Sequence, residues 1–330
     1  MKKISYLLIP VIFWGCNYST ETEKYQNKRD NIFHVQEKVK EINTEDVLIS
    51  SLARLYIVHD YLIISDHHST DKLIYIFDRN NFHYIGNAVD RGQGPGEIAN
   101  MGHIAASEDG RFYITDHGKQ KIFSYNIDSV IANPLYMPDV KMTLNVELFP
   151  DKYQYINDTL SMGLVIKPIG NSDYKPYVAK WNMNTGHIEL MKYEHPGIDN
   201  KKRIGFAMSL ENNIYIEYHY YHDLMTICSL DGDLKCNIYG PSWNIPKVYN
   251  YRKVVFCGNR ILASYSGERN FQVRFPTKFL VFNMEGDYIQ TLETGYNISD
   301  FCYDKDNNRI IMSLDAEVQF AYLDLDGLVE

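Results

Sequence analysis

The sequence predicts an all-β fold, a six-bladed β-propeller of four-stranded antiparallel blades whose last blade is closed by an N-terminal strand. Three observations carry this expectation. Short apolar, β-rich runs recur about every 50 residues, as from 61–66 to 111–116 and from 260–265 to 309–314. Each is followed, after a polar turn, by a second strand, and in several repeats a third begins beyond an acidic residue next to glycine, at Asp231-Gly232, Glu285-Gly286 and Asp326-Gly327. No helical period of useful length runs along the chain, and no stretch reads as the mid-chain linker that two sandwich domains would need.

Taken in order, residues 51–92 make the first blade, with strands at 61–66 and 73–78. The second, 101–134, has strands at 111–116 and 121–126, and the third, 145–196, has a strand pair at 176–182 and 187–193. The fourth, 203–240, has strands at 213–218 and 225–230. The fifth, 249–295, has strands at 260–265 and 278–283 and is enlarged by an insertion near 266–276. The sixth, 298–330, runs out after its third strand, so residues 32–42 are expected to supply the missing one and close the ring, removing its open edges.

Residues 1–15 read as an export signal. Lys2 and Lys3 precede a mostly apolar run from Ile4 to Trp14, too short for a bilayer, which needs about 20 apolar residues. Phe13-Trp14-Gly15-Cys16 resembles a bacterial lipobox, in which a small residue precedes a cysteine that is diacylated; Phe13 and Trp14 depart from the usual leucine and small residue. Cys16 is thus the expected lipidation site. Polar residues 16–30 are expected to form a flexible tether that holds the propeller domain, 31–330, off the membrane.

With 45% hydrophobic and 14% aromatic residues the chain is rich enough to bury a large core. Its net charge of -9 argues against a nucleic-acid partner, and the one short basic cluster, Lys201-Lys202-Arg203, reads as a solvated turn. Cys228 and Cys236 flank a hairpin turn whose spacing permits a bridge, yet four scattered cysteines, with Cys257 and Cys302, read better as free and buried.

The most specific stretch is Asp90-Arg91-Gly92-Gln93-Gly94-Pro95-Gly96-Glu97-Ile98. Three glycines and a proline cannot continue a strand or helix, so Gly92, Gly94, Pro95 and Gly96 shape the turn from the first blade to the second. No helix follows to make it a phosphate cradle. Arg91 and Glu97 are left as candidate ligand contacts, against the alternative that Glu97 bonds amides of the turn. With Arg-Gly-x-Gly-Pro-Gly-Glu at its centre, this run and the lipobox resemble the TolB-like six-bladed β-propeller lipoproteins of Bacteroidetes and, more distantly, NHL repeats. The resemblance implies a six-bladed fold and a cell-envelope address, a lipid anchor at the outer membrane on its periplasmic or cell-surface side. It implies little about activity.

In a propeller the inner strands line a central channel, and the blade-to-blade connections share a face with the turns between second and third strands. The blade count puts Asn100, His103, Asn250, Asn297 and Asp300 at the channel mouth as candidate ligand contacts. His67, His117 and His219 occupy the same step of blades one, two and four. They could form a metal or anion site, or stand as turn residues beside Asp66 and Asp116; zinc, with bonds to nitrogen of about 2 Å, cannot bridge distant blades.

Other chemistry is thin. The Gly-x-Ser-x-Gly, P-loop, dinucleotide and His-Glu-x-x-His motifs are all missing from the sequence, and no catalytic residue is assigned. Asp304-Lys305-Asp306-Asn307-Asn308 starts like a calcium loop, but Arg309 stands where glycine is needed. Among 27 tyrosines, those from Tyr215 to Tyr221 could stack on sugars, although β-sheets enrich tyrosine anyway. Asp128-Ser129-Val130 and Asp158-Thr159-Leu160 resemble acceptor sites for O-glycosylation. Two function classes follow: a lipid-anchored, monomeric, non-catalytic module that binds a glycan, peptide or envelope protein, or a lactonase- or lyase-like enzyme with a divalent cation at the channel mouth.

Overall fold

The computed structural model describes residues 21–44, 47–170, 173–198, 203–245, 248–269 and 275–329. The export signal, Cys16, the first part of the expected tether and Lys201-Lys202 lie outside the described residues.

The chain opens with three short strands, β1 (Glu23–Tyr25), β2 (Ile32–His34) and β3 (Lys40–Glu41). Blade 1 is β4 (Arg54–Val58), β5 (Tyr61–Ser65), β6 (Lys72–Asp78) and β7 (Tyr84–Asp90). Blade 2 is β8 (Met101–Ala106), β9 (Arg111–Asp116), β10 (Lys121–Asn126) and, after the helix α1 (Ile127–Ala132), β11 (Asp139–Thr143). Blade 3 is β12 (Phe149–Asn157), β13 (Leu160–Pro168), β14 (Tyr174–Asn182) and β15 (Ile188–Leu190). Blade 4 is β16 (Ile204–Ser209), β17 (Ile214–His219), β18 (Leu224–Ser229) and β19 (Leu234–Tyr239). Blade 5 is β20 (Val248–Cys257), β21 (Arg260–Arg269), β22 (Lys278–Phe282) and β23 (Tyr288–Glu293). Blade 6 is β24 (Ile298–Asp304), β25 (Arg309–Leu314) and β26 (Phe320–Asp324), with β3 as its fourth strand.

The second strand of each blade is packed on both faces by neighbouring blades, so it reads as a continuous apolar run: every residue of β17 and of β25 is buried. Outer strands meet water on one side, and β7 alternates accordingly. Six apolar clusters hold the ring, one at each blade-to-blade contact; Ile63 and Ile76 of blade 1 meet Ile104 and Phe112 of blade 2, and Phe279 of blade 5 meets Phe301 of blade 6.

A polar device repeated in blades 1 and 2 fixes the approach to the inner strand. Asp66, just past β5, accepts the Ser50 amide ahead of β4 and the amides of His68 and Ser69 in its own turn. Asp116, at the end of β9, does the same for Ala99 and Asn100 and for Gly118 and Lys119. Asp66 therefore satisfies three otherwise orphaned backbone donors and Asp116 four.

Closure is as expected: β3 pairs antiparallel with β26, Ala321 opposite Glu41. The N-terminal segment does more than close the ring. β1 pairs parallel with β19 and β2 parallel with β23, so the segment also edges blades 4 and 5. Arg29, between β1 and β2, is buried on Asp223 at 2.8 Å and lies over the rings of Tyr265 and Phe282. Residues 23–25 of the expected tether are thus paired strand, because an open blade edge offers unmet donors and acceptors. Blade 2 also extends past residue 134 to Thr143, since α1, capped by Asn126, interrupts it before its fourth strand.

Candidate functional site

The six inner strands β4, β8, β12, β16, β20 and β24 surround an axial cavity of about 660 Å³. Its wall carries four cationic side chains, Arg54, Lys152, Arg252 and Lys253, against one carboxylate among the described residues, Asp300, with His67, His68 and His103 beside them. Tyr56, Tyr220 and Tyr249 are half-buried around this polar belt. Further down, Ile57, Ala106, Met208 and Phe256 make the channel apolar.

The polar belt is set by backbone geometry. Pairing of the inner strand with its neighbour shifts register between Met101 and Ile104, Pro150 and Tyr153, Tyr251 and Lys253, and Ile298 and Asp300. His103, Lys152, Arg252 and Ser299 sit at those shifts. A bulge breaks the inward–outward alternation and re-aims side chains, which is how blades 2, 3, 5 and 6 all bring polar groups to the same depth. In blade 4 the inner strand has Gly205 instead, where a Cβ would fall 2.1 Å from Tyr218 Cζ. The missing side chain lets the Tyr218 ring of the second strand reach across to the channel wall.

Each charge has a defined setting. Lys253 Nζ pairs with Asp300 Oδ1 at 2.9 Å, and the other Asp300 oxygen accepts the Leu55 amide at 2.8 Å. Arg252 donates to the Ser299 carbonyl at 2.6 Å and to the Tyr249 hydroxyl at 3.3 Å. Lys152 donates to the Tyr220 hydroxyl at 3.0 Å, and that phenol raises its pKa above the ordinary lysine value. Neither Lys152 nor Arg54 has an ion-pair partner among the described residues. His103 donates to the Tyr153 carbonyl at 2.8 Å; burial, with Arg54 and Lys152 near, holds its pKa well below 6.5. His67 donates to the Met101 carbonyl at 3.0 Å and is pushed to about 4 by burial and by Arg54. Both rings are neutral at neutral pH, so they add polarity and no charge.

Of the sequence candidates, His67, His103 and Asp300 line the channel. Asn250 is buried on the Val248 carbonyl and Ser242, and Asn297 is exposed on the rim, where its carbonyl accepts the Asp315 amide. Asn100 and His117 border a separate cleft of about 450 Å³ with Phe149 and Asp151. Arg91 is spent inside the protein, donating to the carbonyls of Ser69 and His67, both at 2.6 Å. Glu97 folds back onto the Gly94 amide at 2.6 Å, and Lys119 donates to the carbonyls of Gly94 and Glu97, both at 2.7 Å. At Gly92 a Cβ would lie 2.0 Å from Glu97 Oε2, and Gly96 has a φ of 79°, so the glycines serve the turn.

His67, His117 and His219 do not converge. His67 lies on Met101, His117 is 3.8 Å from Asp151, and buried His219 is 3.4 Å from Glu217. Among the described residues no group of three or more His, Cys, Asp or Glu is arranged to hold a metal ion. The channel's donor set does not fit a divalent cation either, since four cations would repel it and Asp300 is already paired. The calcium-like run at Asp304 is a hairpin turn in which Asp304 pairs with Arg309 at 3.0 Å. All four described cysteines are free and buried; Cys228 stands opposite Leu234 and Cys236 opposite Ile227, so neither faces the other. Sequence reasoning missed Arg54, Lys152, Arg252 and Lys253.

A family model described as DUF5128, 6-bladed beta-propeller, matches residues 20–236. No curated protein matches the chain. Among solved structures, a member of the duf4221 family from Bacteroides vulgatus aligns with a TM-score of 0.55 at 11% identity, over 87% of this chain and 98% of its own. A provisionally assigned exported protein from Bacteroides fragilis aligns at 0.53 and 10% identity, over 89% of this chain and 88% of its own. A provisionally assigned gluconolactonase aligns at 0.54 and 11% identity, over 87% of this chain and 92% of its own. Likeness at such identities is likeness of fold alone.

Proposed function

Because the chain belongs to DUF5128, a family of six-bladed β-propellers, a fold that carries no single chemistry, we propose from its channel that it is a lipid-anchored cell-envelope module that binds a glycan without transforming it. The observation that carries this reading is the channel wall itself. Tyr56, Tyr220 and Tyr249 line the wall beside a belt of fixed donors, in a cavity of about 660 Å³ that suits a ligand of a few rings. A non-catalytic role is supported by the state of the titratable groups: His67 and His103 each have one ring nitrogen tied to a backbone carbonyl, and Asp300 is held by Lys253 and the Leu55 amide.

The address rests on residues 1–16 of the sequence and on the direction of the N-terminal strands. β1 and β2 run parallel to the outer strands β19 and β23, and β3 runs antiparallel to β26, so all three head towards the face that carries the blade-to-blade connections. The chain therefore reaches Glu23 from the side opposite the channel mouth described above. A diacylated Cys16, seven residues upstream, would tether the protein within about 25 Å of the bilayer with that mouth turned away from it. Replacing Cys16 with Ala should release the protein from membranes; unchanged retention would refute the anchor.

Thermal-shift screening of purified protein against neutral and acidic oligosaccharides and against peptides tests the ligand class. Stabilisation by a saccharide that is lost in Tyr220→Ala supports the reading. Stabilisation by peptides alone would replace it with peptide binding.

A further inference from the structure

Resting on the reading of the channel as a glycan site, the charge of its wall carries a narrower conclusion about the ligand. The chain as a whole is acidic, with a net charge of -9, yet its channel sets Arg54, Lys152, Arg252 and Lys253 against the single carboxylate of Asp300. Crowding like charges into a confined, partly desolvated space costs free energy, and no ion pair among the described residues offsets it for Arg54 or Lys152. Two of the four are offset inside the protein: Lys253 by Asp300, and Arg252 by the Ser299 carbonyl, the Tyr249 hydroxyl and the face of Phe275. The other two have only neighbouring phenols and, among the described residues, no ion pair: Tyr56 for Arg54 and Tyr220 for Lys152. Arg54 on β4 lowers the proton affinity of Lys152 on β12, though the Tyr220 hydroxyl raises it by more, and both cations press on the buried ring of His103.

We infer that the bound saccharide is acidic, with its carboxylate or sulfate ester seated on Arg54 and Lys152 and a sugar ring against Tyr220. Three features meet at that spot. Lys152 reaches it only because the register shift between Pro150 and Tyr153 re-aims the strand, and its ammonium is steadied by the Tyr220 hydroxyl at 3.0 Å, leaving further donors free. The Arg54 guanidinium presents a planar fork suited to an oxyanion's two oxygens. His103, neutral and tied to Tyr153, packs edge-on to Tyr56 at 5.5 Å and to Tyr153 at 5.6 Å, closing the floor without adding charge. Low-dielectric walls lined by one sign of charge focus the field along the axis, which would draw an anion into the mouth of an otherwise acidic molecule.

The test is isothermal titration calorimetry of the purified protein with trigalacturonic acid, its fully methyl-esterified form, a sulfated galactose trisaccharide and inorganic sulfate, with Arg54→Gln and Lys152→Met alongside. Circular dichroism and melting temperature verify that both variants fold. The expected result is that at least one of the two acidic saccharides binds about tenfold or more tightly than the neutral ester, that its affinity falls as salt is raised, and that each variant loses about tenfold. Which acidic saccharide binds distinguishes a carboxylate from a sulfate ester. Equal binding of acid and ester, or folded variants that bind the acid like the parent, overturns the inference while leaving a glycan site standing. Inorganic sulfate binding as tightly as the saccharides overturns it in favour of a free oxyanion. Binding of none of these probes overturns the inference, and only further failure of every neutral glycan removes the glycan reading too.

Discussion

Lys253 Nζ lies 2.9 Å from Asp300 Oδ1, and Asp300 Oδ2 accepts the Leu55 amide at 2.8 Å, so the one described carboxylate of the channel joins the inner strands of blades 5, 6 and 1. It is fully committed to that task. The field inside the channel is therefore governed by the cations it does not neutralise.

Asp300→Asn keeps an acceptor for the Leu55 amide and removes the negative charge. It should lower stability by about 1–2 kcal/mol while raising the affinity for an anionic ligand about three- to tenfold. Thermal melts and calorimetry read the two effects separately. A fall in affinity would mean that Asp300 itself holds the ligand.

Arg29→Met should cost about 3–5 kcal/mol, because it leaves the Asp223 carboxylate unpaired in a buried site. Arg29 and Asp223 are 5% and 0% exposed, and Tyr251 and Tyr265 both donate to the same carboxylate. Urea unfolding measures the loss. A cost below about 1 kcal/mol would show that the N-terminal segment is held by its strand pairing with β19 and β23 alone.

Gly205→Ala should cost about 1–3 kcal/mol and displace the Tyr218 ring from the channel wall, since the added methyl overlaps it. A circular dichroism melt measures the first effect, and weaker saccharide binding reports the second. Arg91→Ala is the contrast: it should lower stability by about 1–3 kcal/mol through two lost hydrogen bonds and leave ligand affinity unchanged.

Stability should fall on mild acidification. His67 at about 4 and His103 well below 6.5 are both depressed by burial and by Arg54, so the unfolded chain takes up their protons first. Their contribution is complete above pH 6.5 and is lost progressively as pH falls towards 4. Melting temperature should therefore be lower at about pH 5 than at about pH 7.5. The double variant His67→Gln, His103→Gln should flatten that slope; an unchanged slope would assign it to other groups.

The ring was legible because a strand packed between two blades is apolar on both faces, and residues such as 61–65 and 309–314 announce themselves. β11 was not, because α1 has only six residues and no readable period, and it delays the fourth strand of blade 2. The channel was largely illegible. Arg54, Lys152 and the Arg252-Lys253 pair lie in strands separated by about 100 residues, and each alone looks like a solvated strand position. Their convergence depends on closure of the ring and on bulges that alternation cannot foresee, which is also why Asn250 and Asn297 were set at the channel and found elsewhere. Arg91 and Glu97 were visible as a special turn, and their bonds serve that turn.

The central claim, an anion-binding saccharide site in the channel, is tested most directly by a crystal structure of the protein soaked with the tightest-binding acidic saccharide. The predicted result is density in the channel with an oxyanion within hydrogen-bonding distance of Arg54 and Lys152. Density only in the cleft beside Asn100 and His117, or at the turn of residues 91–97, would contradict it.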